Sequence, residues 1–164
     1  MSIRFTADEV FEMALQIERN GAAFYERAAE LEQDAHARNT LLELAAMEEE
    51  HEQTFTEMRA GLTEQERKEL TFDPEGQLPL YLRAIADKNV FDTKSAPAER
   101  LTGKETMEDV LRTAIGLEKD SIVFYVGLKG IVPERLGAAR LDDIVKEEMS
   151  HIATLSDLIR CGRK

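Results

Sequence analysis

Two short motifs in the sequence place a carboxylate and an imidazole three residues apart. They are Glu48-x-x-His51 and Glu148-x-x-His151, and they lie one hundred positions apart. Residues at this spacing share one face of an α-helix. In each motif both side chains interrupt a stripe of apolar residues, so we expect them to point towards a core. Carboxylate and imidazole groups turned inward together are typical of a transition-metal site.

Each motif is preceded by another inward-facing carboxylate. Glu18 lies thirty residues before Glu48, and Glu118 lies thirty residues before Glu148. Small residues at helical spacing flank both upstream glutamates, which leaves room for something other than protein. Residues 48–51 form the run EEEH, in which Glu49 and Glu50 rotate away from the stripe and are predicted to be solvated. Glu147, four residues before His151, is set aside because its repeat counterpart is Met47.

Charge decides how these inward carboxylates are interpreted. Burying four of them costs several kcal/mol per ion unless each is paired or protonated, and no Lys or Arg lies on the same stripes. Two divalent cations would neutralise four carboxylates, and two imidazoles would add neutral donors. The sequence therefore predicts a dinuclear centre for iron or manganese, with zinc less suited. The predicted ligands are Glu18, Glu48, His51, Glu118, Glu148 and His151. A structural pair of hydrogen-bonded histidine and carboxylate is the alternative.

Two aromatic residues near these ligands have two interpretations. Tyr25 and Tyr125 are either plain core residues or donors that hydrogen-bond a metal-bound carboxylate. His36 lies in a predicted loop, off any stripe, and receives no role. The single cysteine, Cys161, excludes an internal disulfide and a cysteine-based metal site within this chain.

Helical periodicity defines the elements that position these residues. Helices are predicted over 6–31, 37–60 and 106–130, and a fourth from near Pro133 to 160. Capping boxes at Thr6 and Thr106 mark two of the starts. The segments 6–60 and 106–160 align at a shift of one hundred without a gap, so they look like two copies of one hairpin. A long crossover, 61–105, joins them and contains one short amphipathic helix at 78–91. This order predicts an all-α four-helix bundle in a single domain, 1–164.

Composition limits the partners. The net charge of −12 argues against nucleic acid and anionic membranes, because both bind basic surfaces. The longest apolar run, 122–128, is too short to span a bilayer. The first residues lack the apolar segment of a signal peptide, so a cytoplasmic location is expected.

The pattern of four glutamates and two histidines resembles the ferritin-like superfamily, and its rubrerythrin-like branch most of all. This resemblance covers the four helices and implies a ferritin-like fold with a di-iron centre. It implies that Glu48 and Glu148 bridge the two ions. Glu18 with His51 would complete one ion, and Glu118 with His151 would complete the other.

Two departures from rubrerythrins bear on activity. Rubrerythrins carry a further glutamate three residues after the third-helix ligand, where this chain has Ser121, and the counterpart in the first half is Gly21. They also carry a four-cysteine rubredoxin domain, which a chain with one cysteine lacks. Electrons would therefore have to come from a separate donor.

Three functional hypotheses follow from these residues. The leading one is a rubrerythrin-like redox enzyme whose metal centre reacts with peroxide or dioxygen. The second is an iron-binding or ferroxidase protein for storage or delivery, and the third is a scaffold for protein interactions. For the first two we expect a homodimer or a larger homo-oligomer.

Overall fold

The computed structural model describes residues 5–68, 96–130, 132 and 134–162, and the regular elements in these ranges are helices. The all-α prediction is thereby confirmed. The predicted short helix at 78–91 lies outside the described residues. The helices are α1 (Ala7–Leu31), α2 (Ala35–Ala60), α3 (Glu64–Lys68), α4 (Met107–Leu128) and α5 (Ala138–Gly162), with 3₁₀ turns at Pro97–Arg100 and Glu134–Leu136.

Both predicted capping boxes are present. The hydroxyl of Thr6 accepts the backbone N–H of Glu9, whose carboxylate accepts the N–H of Thr6 in return. Thr106 and Asp109 repeat this arrangement at the start of α4. Each box satisfies two backbone donors that the first helical turn leaves without partners. The repeat in sequence is therefore also a repeat in local structure.

Two helix starts differ from their predicted positions. Helix α2 begins at Ala35, two residues early, because the carboxylate of Asp34 caps the N–H of Ala37 at 2.8 Å. Helix α5 begins at Ala138, five residues after the predicted start. Gly137 adopts a φ of 94°, a left-handed conformation that a right-handed helix cannot include. The backbone of this glycine thus separates the preceding 3₁₀ turn from α5.

The helices form two hairpins whose directions follow from their contacts. α1 packs against α2 and α4 packs against α5, each joined by a short connection. Tyr25 contacts Glu118, whereas Tyr125 contacts Glu18, so α1 and α4 run antiparallel. α2 and α4 therefore run in the same direction.

Two apolar clusters fill the bundle, one on each side of a polar middle layer. Burial of each large apolar side chain stabilises the fold by about 1.5–3 kcal/mol. One cluster contains Val10, Phe11, Phe55, Met58, Phe124, Leu128, Leu141 and Ile144 among others. The other contains Phe24, Ala28, Leu41, Leu44, Val110, Leu111, Leu155 and Ile159 among others. The described helices all fall short of the length and apolar content that a membrane-spanning helix needs.

Candidate metal centre

The middle layer contains the six side chains that the sequence singles out as metal ligands. Each long helix contributes at least one of them, and none is more than 3% exposed. They are Glu18 on α1, Glu48 and His51 on α2, Glu118 on α4, and Glu148 and His151 on α5. The other glutamates of the run EEEH, Glu49 and Glu50, are exposed. The structure thus brings together all six candidates and separates them from their solvated neighbours.

The six side chains form two overlapping groups. In each group the potential ligand atoms lie within 4.8 Å of one another. The first group comprises Glu18, Glu48, His51 and Glu148, and the second comprises Glu48, Glu118, Glu148 and His151. Glu48 and Glu148 belong to both. Two carboxylates therefore lie between two positions that each have one further carboxylate and one imidazole.

The imidazoles face the carboxylates through the same nitrogen. Nδ1 of His51 lies 3.4 Å from Glu18 and 3.3 Å from Glu148. Nδ1 of His151 lies 2.9 Å from Glu148, 3.1 Å from Glu48 and 3.4 Å from Glu118. The two rings stack with their centroids 5.9 Å apart. Each Nδ1 is thus surrounded by the oxygens of its own group.

These close contacts do not satisfy the polar atoms of the layer. A buried polar side-chain atom without a hydrogen-bond partner costs about 1–3 kcal/mol. In the described part of the chain, such atoms all belong to this layer. They are Glu18 Oε2, Glu48 Oε1, His51 Nδ1, both carboxylate oxygens of Glu148, and Nδ1 and Nε2 of His151. A structural network of hydrogen-bonded histidine–carboxylate pairs would give these atoms partners. The donor set of four carboxylates and two imidazoles fits a pair of cations.

Burial raises the pKa of three of the four carboxyl groups. Burial is the main cause in each case, and neighbouring carboxylates add to it. The pKa of Glu48 rises to about 7 and that of Glu118 to about 8. The pKa of Glu18 rises well above its ordinary value. In the absence of a cation, protons therefore compensate part of the charge of this layer.

At Glu148 and at the two histidines, contacts within the layer outweigh the effect of burial on the pKa. Burial alone would raise the pKa of Glu148, but contacts with His151 and His51 outweigh it and lower that pKa to about 2. Burial alone would lower the pKa of both histidines. Contacts with Glu148 and Glu18 raise that of His51 to about 11, and contacts with Glu118, Glu148 and Glu48 raise that of His151 to about 12. A bound cation would have to displace these protons.

The two tyrosines donate hydrogen bonds across the bundle. The hydroxyl of Tyr25 donates to Oε1 of Glu118, and that of Tyr125 donates to Oε1 of Glu18. Each tyrosine thus contacts the carboxylate of the other hairpin. Burial, reinforced by the nearby carboxylates, raises the pKa of both hydroxyls well above its ordinary value, so they remain donors. They are more than plain core aromatics.

Small residues open the layer on one side. A Cβ atom on Gly21 would lie 2.7 Å from Oε2 of Glu48, so the absence of a side chain makes room for this carboxylate. Ser121, its repeat counterpart, donates its hydroxyl to the carbonyl of Leu117 at 3.0 Å. A cavity of about 20 Å³ lies between them, and Glu48 and Glu118 also line it. That volume is close to one water molecule.

One residue that the sequence reasoning set aside contacts a candidate ligand. Oε2 of Glu147 lies 2.7 Å from Nε2 of His51. Glu147 has no equivalent in the first hairpin, where Met47 occupies its position, so chemistry shared by the two hairpins does not predict a role for it. Its place immediately before Glu148 on the facing helix is the signal that could have identified it. His36 and Cys161 are exposed and lie outside the two groups.

Two comparisons with known proteins give matches to this chain. The profile of the ferritin-like domain family matches residues 6–161. The fold is similar to the crystal structure of a proposed ferritin-like diiron-carboxylate protein from Thermotoga maritima. That match has a TM-score of 0.69 and 22% sequence identity, and it covers 96% of each chain. None of the curated protein sequences compared with the chain matches it significantly.

Proposed function

The chain belongs to the ferritin-like domain family, and we propose that its buried layer holds two iron ions with which it reduces hydrogen peroxide or dioxygen. The observation that carries this proposal is the set of buried polar atoms without hydrogen-bond partners. These atoms belong to two groups that share two carboxylates. The name of the Thermotoga maritima protein, which describes a diiron-carboxylate protein, supports the choice of iron.

The proposed ligand roles follow the two groups. Glu48 and Glu148, which belong to both, would bridge the ions. Glu18 and His51 would complete one ion, and Glu118 and His151 would complete the other. Mixed carboxylate and imidazole donors suit iron best and manganese next, and they suit zinc less.

The residues around the ligands support a redox role. Two adjacent ferrous ions can supply two electrons to one peroxide, which with two protons gives two water molecules. Tyr125 donates to Oε1 of Glu18, and Oε2 of the same carboxylate has no hydrogen-bond partner, so Oε2 would be free to bind an ion. Tyr25 donates to Oε1 of Glu118 and so holds that carboxylate from the other hairpin. Such contacts set the position and basicity of metal ligands.

The size of the nearby cavity bears on the substrate. The volume of about 20 Å³ beside Gly21 and Ser121 is of the order of one small molecule. Dioxygen and peroxide are compatible with such a space, whereas a larger organic substrate would require the side chains around it to move. We therefore propose the oxidant itself as the molecule that approaches the centre. With one exposed cysteine in the chain, we propose that a separate protein or small reductant supplies the electrons.

A second candidate function is iron uptake for storage or delivery, in which oxidation of iron serves its capture. Ser121 favours this alternative, because it occupies the place of the additional rubrerythrin glutamate and its hydroxyl is bonded to the helix backbone. In that case iron is cargo; a storage protein would assemble into a hollow shell, whereas a carrier would be a dimer. The enzyme would likewise function as a dimer or a small oligomer.

Rapid mixing distinguishes the two functions. Metal-free protein is loaded anaerobically with two ferrous ions per chain and mixed with peroxide or with dioxygen in excess reductant. A redox enzyme gives an absorbance burst followed by repeated turnover. A storage protein gives a burst, retains ferric iron beyond two ions per chain, and has the mass of a large assembly. Absence of any burst with either oxidant would contradict both functions.

A further inference from the structure

The internal repeat makes each hairpin a control for the other, and the two histidines differ in one respect. His51 and His151 occupy equivalent positions, and both turn Nδ1 towards the carboxylates. Nε2 of His51 lies 2.7 Å from a carboxylate oxygen of Glu147. Nε2 of His151 is buried and has no hydrogen-bond partner among the residues that the structure describes. The two halves of the layer are thus unequal at the outer nitrogen.

The sequence explains the difference. Glu147 precedes Glu148 on α5 and reaches across to His51 on α2. By the approximate twofold symmetry of the hairpins, the residue that should reach His151 precedes Glu48 on α2, and that residue is Met47. A thioether is a weak hydrogen-bond acceptor, whereas a carboxylate is a strong one. Among the residues that the structure describes, this difference between the hairpins gives His51 an acceptor at Nε2 and gives His151 none.

An acceptor at Nε2 changes what the opposite nitrogen can do. When Nε2–H of an imidazole is bonded to a carboxylate, the hydrogen is held on Nε2 and the lone pair on Nδ1. The ring orientation is held as well, and the ligand nitrogen becomes more basic. His51 has this arrangement, and its Nδ1 is directed towards Glu18 and Glu148. His151 has to adopt the same tautomer without such help.

Glu147 is also accessible in a way that the other partners of the layer are not. Its side chain is 49% exposed, whereas that of His51 is 4% exposed. The two residues line a surface pocket of about 210 Å³ together with Glu50, Thr54 and Asp143. Glu147 can therefore be replaced without opening the apolar core, and a change at this position tests the hydrogen bond more than the fold.

We propose that Glu147 is a positioning residue that makes the two cation positions unequal. The position completed by His51 binds its ion more tightly and fills first, and the position completed by His151 is weaker and exchanges its ion faster. This inference rests on the proposed function, because it presupposes that the layer binds two ions. It adds which position fills first and which residue determines the order.

Titration of the metal-free protein with cobalt(II) tests the proposal without any turnover. The wild-type protein should show two binding steps, since loss of such an outer partner typically changes metal affinity about 10–100-fold. Glu147→Met, which copies the other hairpin, should weaken the first step by that factor and leave two nearly equal weak steps. Glu147→Gln retains an acceptor oxygen and should recover part of the affinity.

Two further variants separate the hydrogen bond from charge and test the symmetry. Glu50→Gln removes a negative charge from the same pocket, and the ion pairs of His51 are with Glu18, Glu147 and Glu148. Both affinities should therefore change by less than about twofold, because exposed charges are screened. Met47→Glu should give His151 an acceptor and strengthen the second step, and Met47→Gln repeats the test with a neutral side chain. Zinc-loaded protein adds a spectroscopic readout, in which the ¹⁵N-coupled Nε2–H signal of His51 should be protected in the wild type and lost in Glu147→Met.

The outcomes distinguish this inference from the proposed function. If the wild-type protein binds no cobalt, the metal centre itself is wrong, and the inequality is wrong with it. If it binds two ions with equal affinity, or if Glu147→Met weakens both steps equally, the metal centre stands and the role of Glu147 is refuted. The same holds if Glu50→Gln reproduces the effect of Glu147→Met, because charge alone would then explain it.

Discussion

Replacement of Gly21 by alanine should improve the helix and damage the metal centre at the same time. Glycine inside a helix costs about 0.5–1 kcal/mol relative to alanine. The new Cβ atom would lie 2.7 Å from Oε2 of Glu48, where ordinary contacts begin at 3.4 Å, so the carboxylate oxygen has to move by about 0.7 Å. The end of a glutamate side chain can rotate at little cost in the metal-free protein. We therefore expect metal-free Gly21→Ala to unfold at a temperature unchanged or raised by up to about 4 °C.

Metal binding should respond differently, because ligand positions are tolerated only within about 0.2 Å. A displacement several times larger should lower the affinity for cobalt(II) by at least about tenfold. Gly116→Ala is the matched control, since no heavy atom lies within 4 Å of its new Cβ atom. This control should gain the same helix stability and bind metal as the wild type does. Thermal unfolding and cobalt titration of both variants provide the test, and wild-type affinity in Gly21→Ala would refute the placement of Glu48 in the centre.

Three further predictions concern the metal-free protein. Tyr125→Phe removes the hydrogen bond to Glu18 and should lower the urea-derived free energy of unfolding by about 1 kcal/mol. The variant should still bind two metal ions, and complete loss of binding would contradict a supporting role for Tyr125. Glu148→Gln should lower the free energy of unfolding by about 3–5 kcal/mol, because it removes the anion between the protonated His51 and His151. Glu48→Gln should lower it less, since Glu48 contacts His151 alone of these two. The free energy of unfolding should fall between pH 5 and pH 8. The folded chain keeps protons on Glu48 and Glu118 up to pH about 7 and about 8, whereas the unfolded chain releases them near pH 4.3. Each such proton lowers the free energy of unfolding by about 1.4 kcal/mol per pH unit. The raised pKa values of both histidines act in the same direction above pH 6.5, and a urea titration that shows rising stability over this range would contradict the assignment.

Periodicity and repetition made the bundle and its six inward residues predictable. The inward stripe of α2 identified Glu48 and His51, and the second copy at Glu148 and His151 showed that the arrangement is not a coincidence of one helix. The start of α5 was not predictable from Pro133, because it depends on the backbone conformation of Gly137. Local composition does not encode that conformation.

The features that break the repeat were the hardest to predict. Chemistry shared by both hairpins does not predict a role for Glu147, because its counterpart is Met47 and its contact with His51 occurs once. The sequence likewise does not determine which glutamate each tyrosine contacts, because this depends on α1 and α4 running antiparallel. Spacing along one helix can be read from the sequence, whereas contacts between helices can be identified only from the structure.

The central claim is that four glutamates and two histidines bind two iron ions in each chain. Anaerobic titration of metal-free protein with ferrous iron, followed by removal of loosely bound metal and measurement of the iron retained, tests it most directly. The account predicts two iron ions per chain in the wild type and none tightly bound after simultaneous Glu48→Ala and Glu148→Ala substitution. Iron retention unaffected by the double substitution, or a wild-type chain that retains no iron, would contradict it.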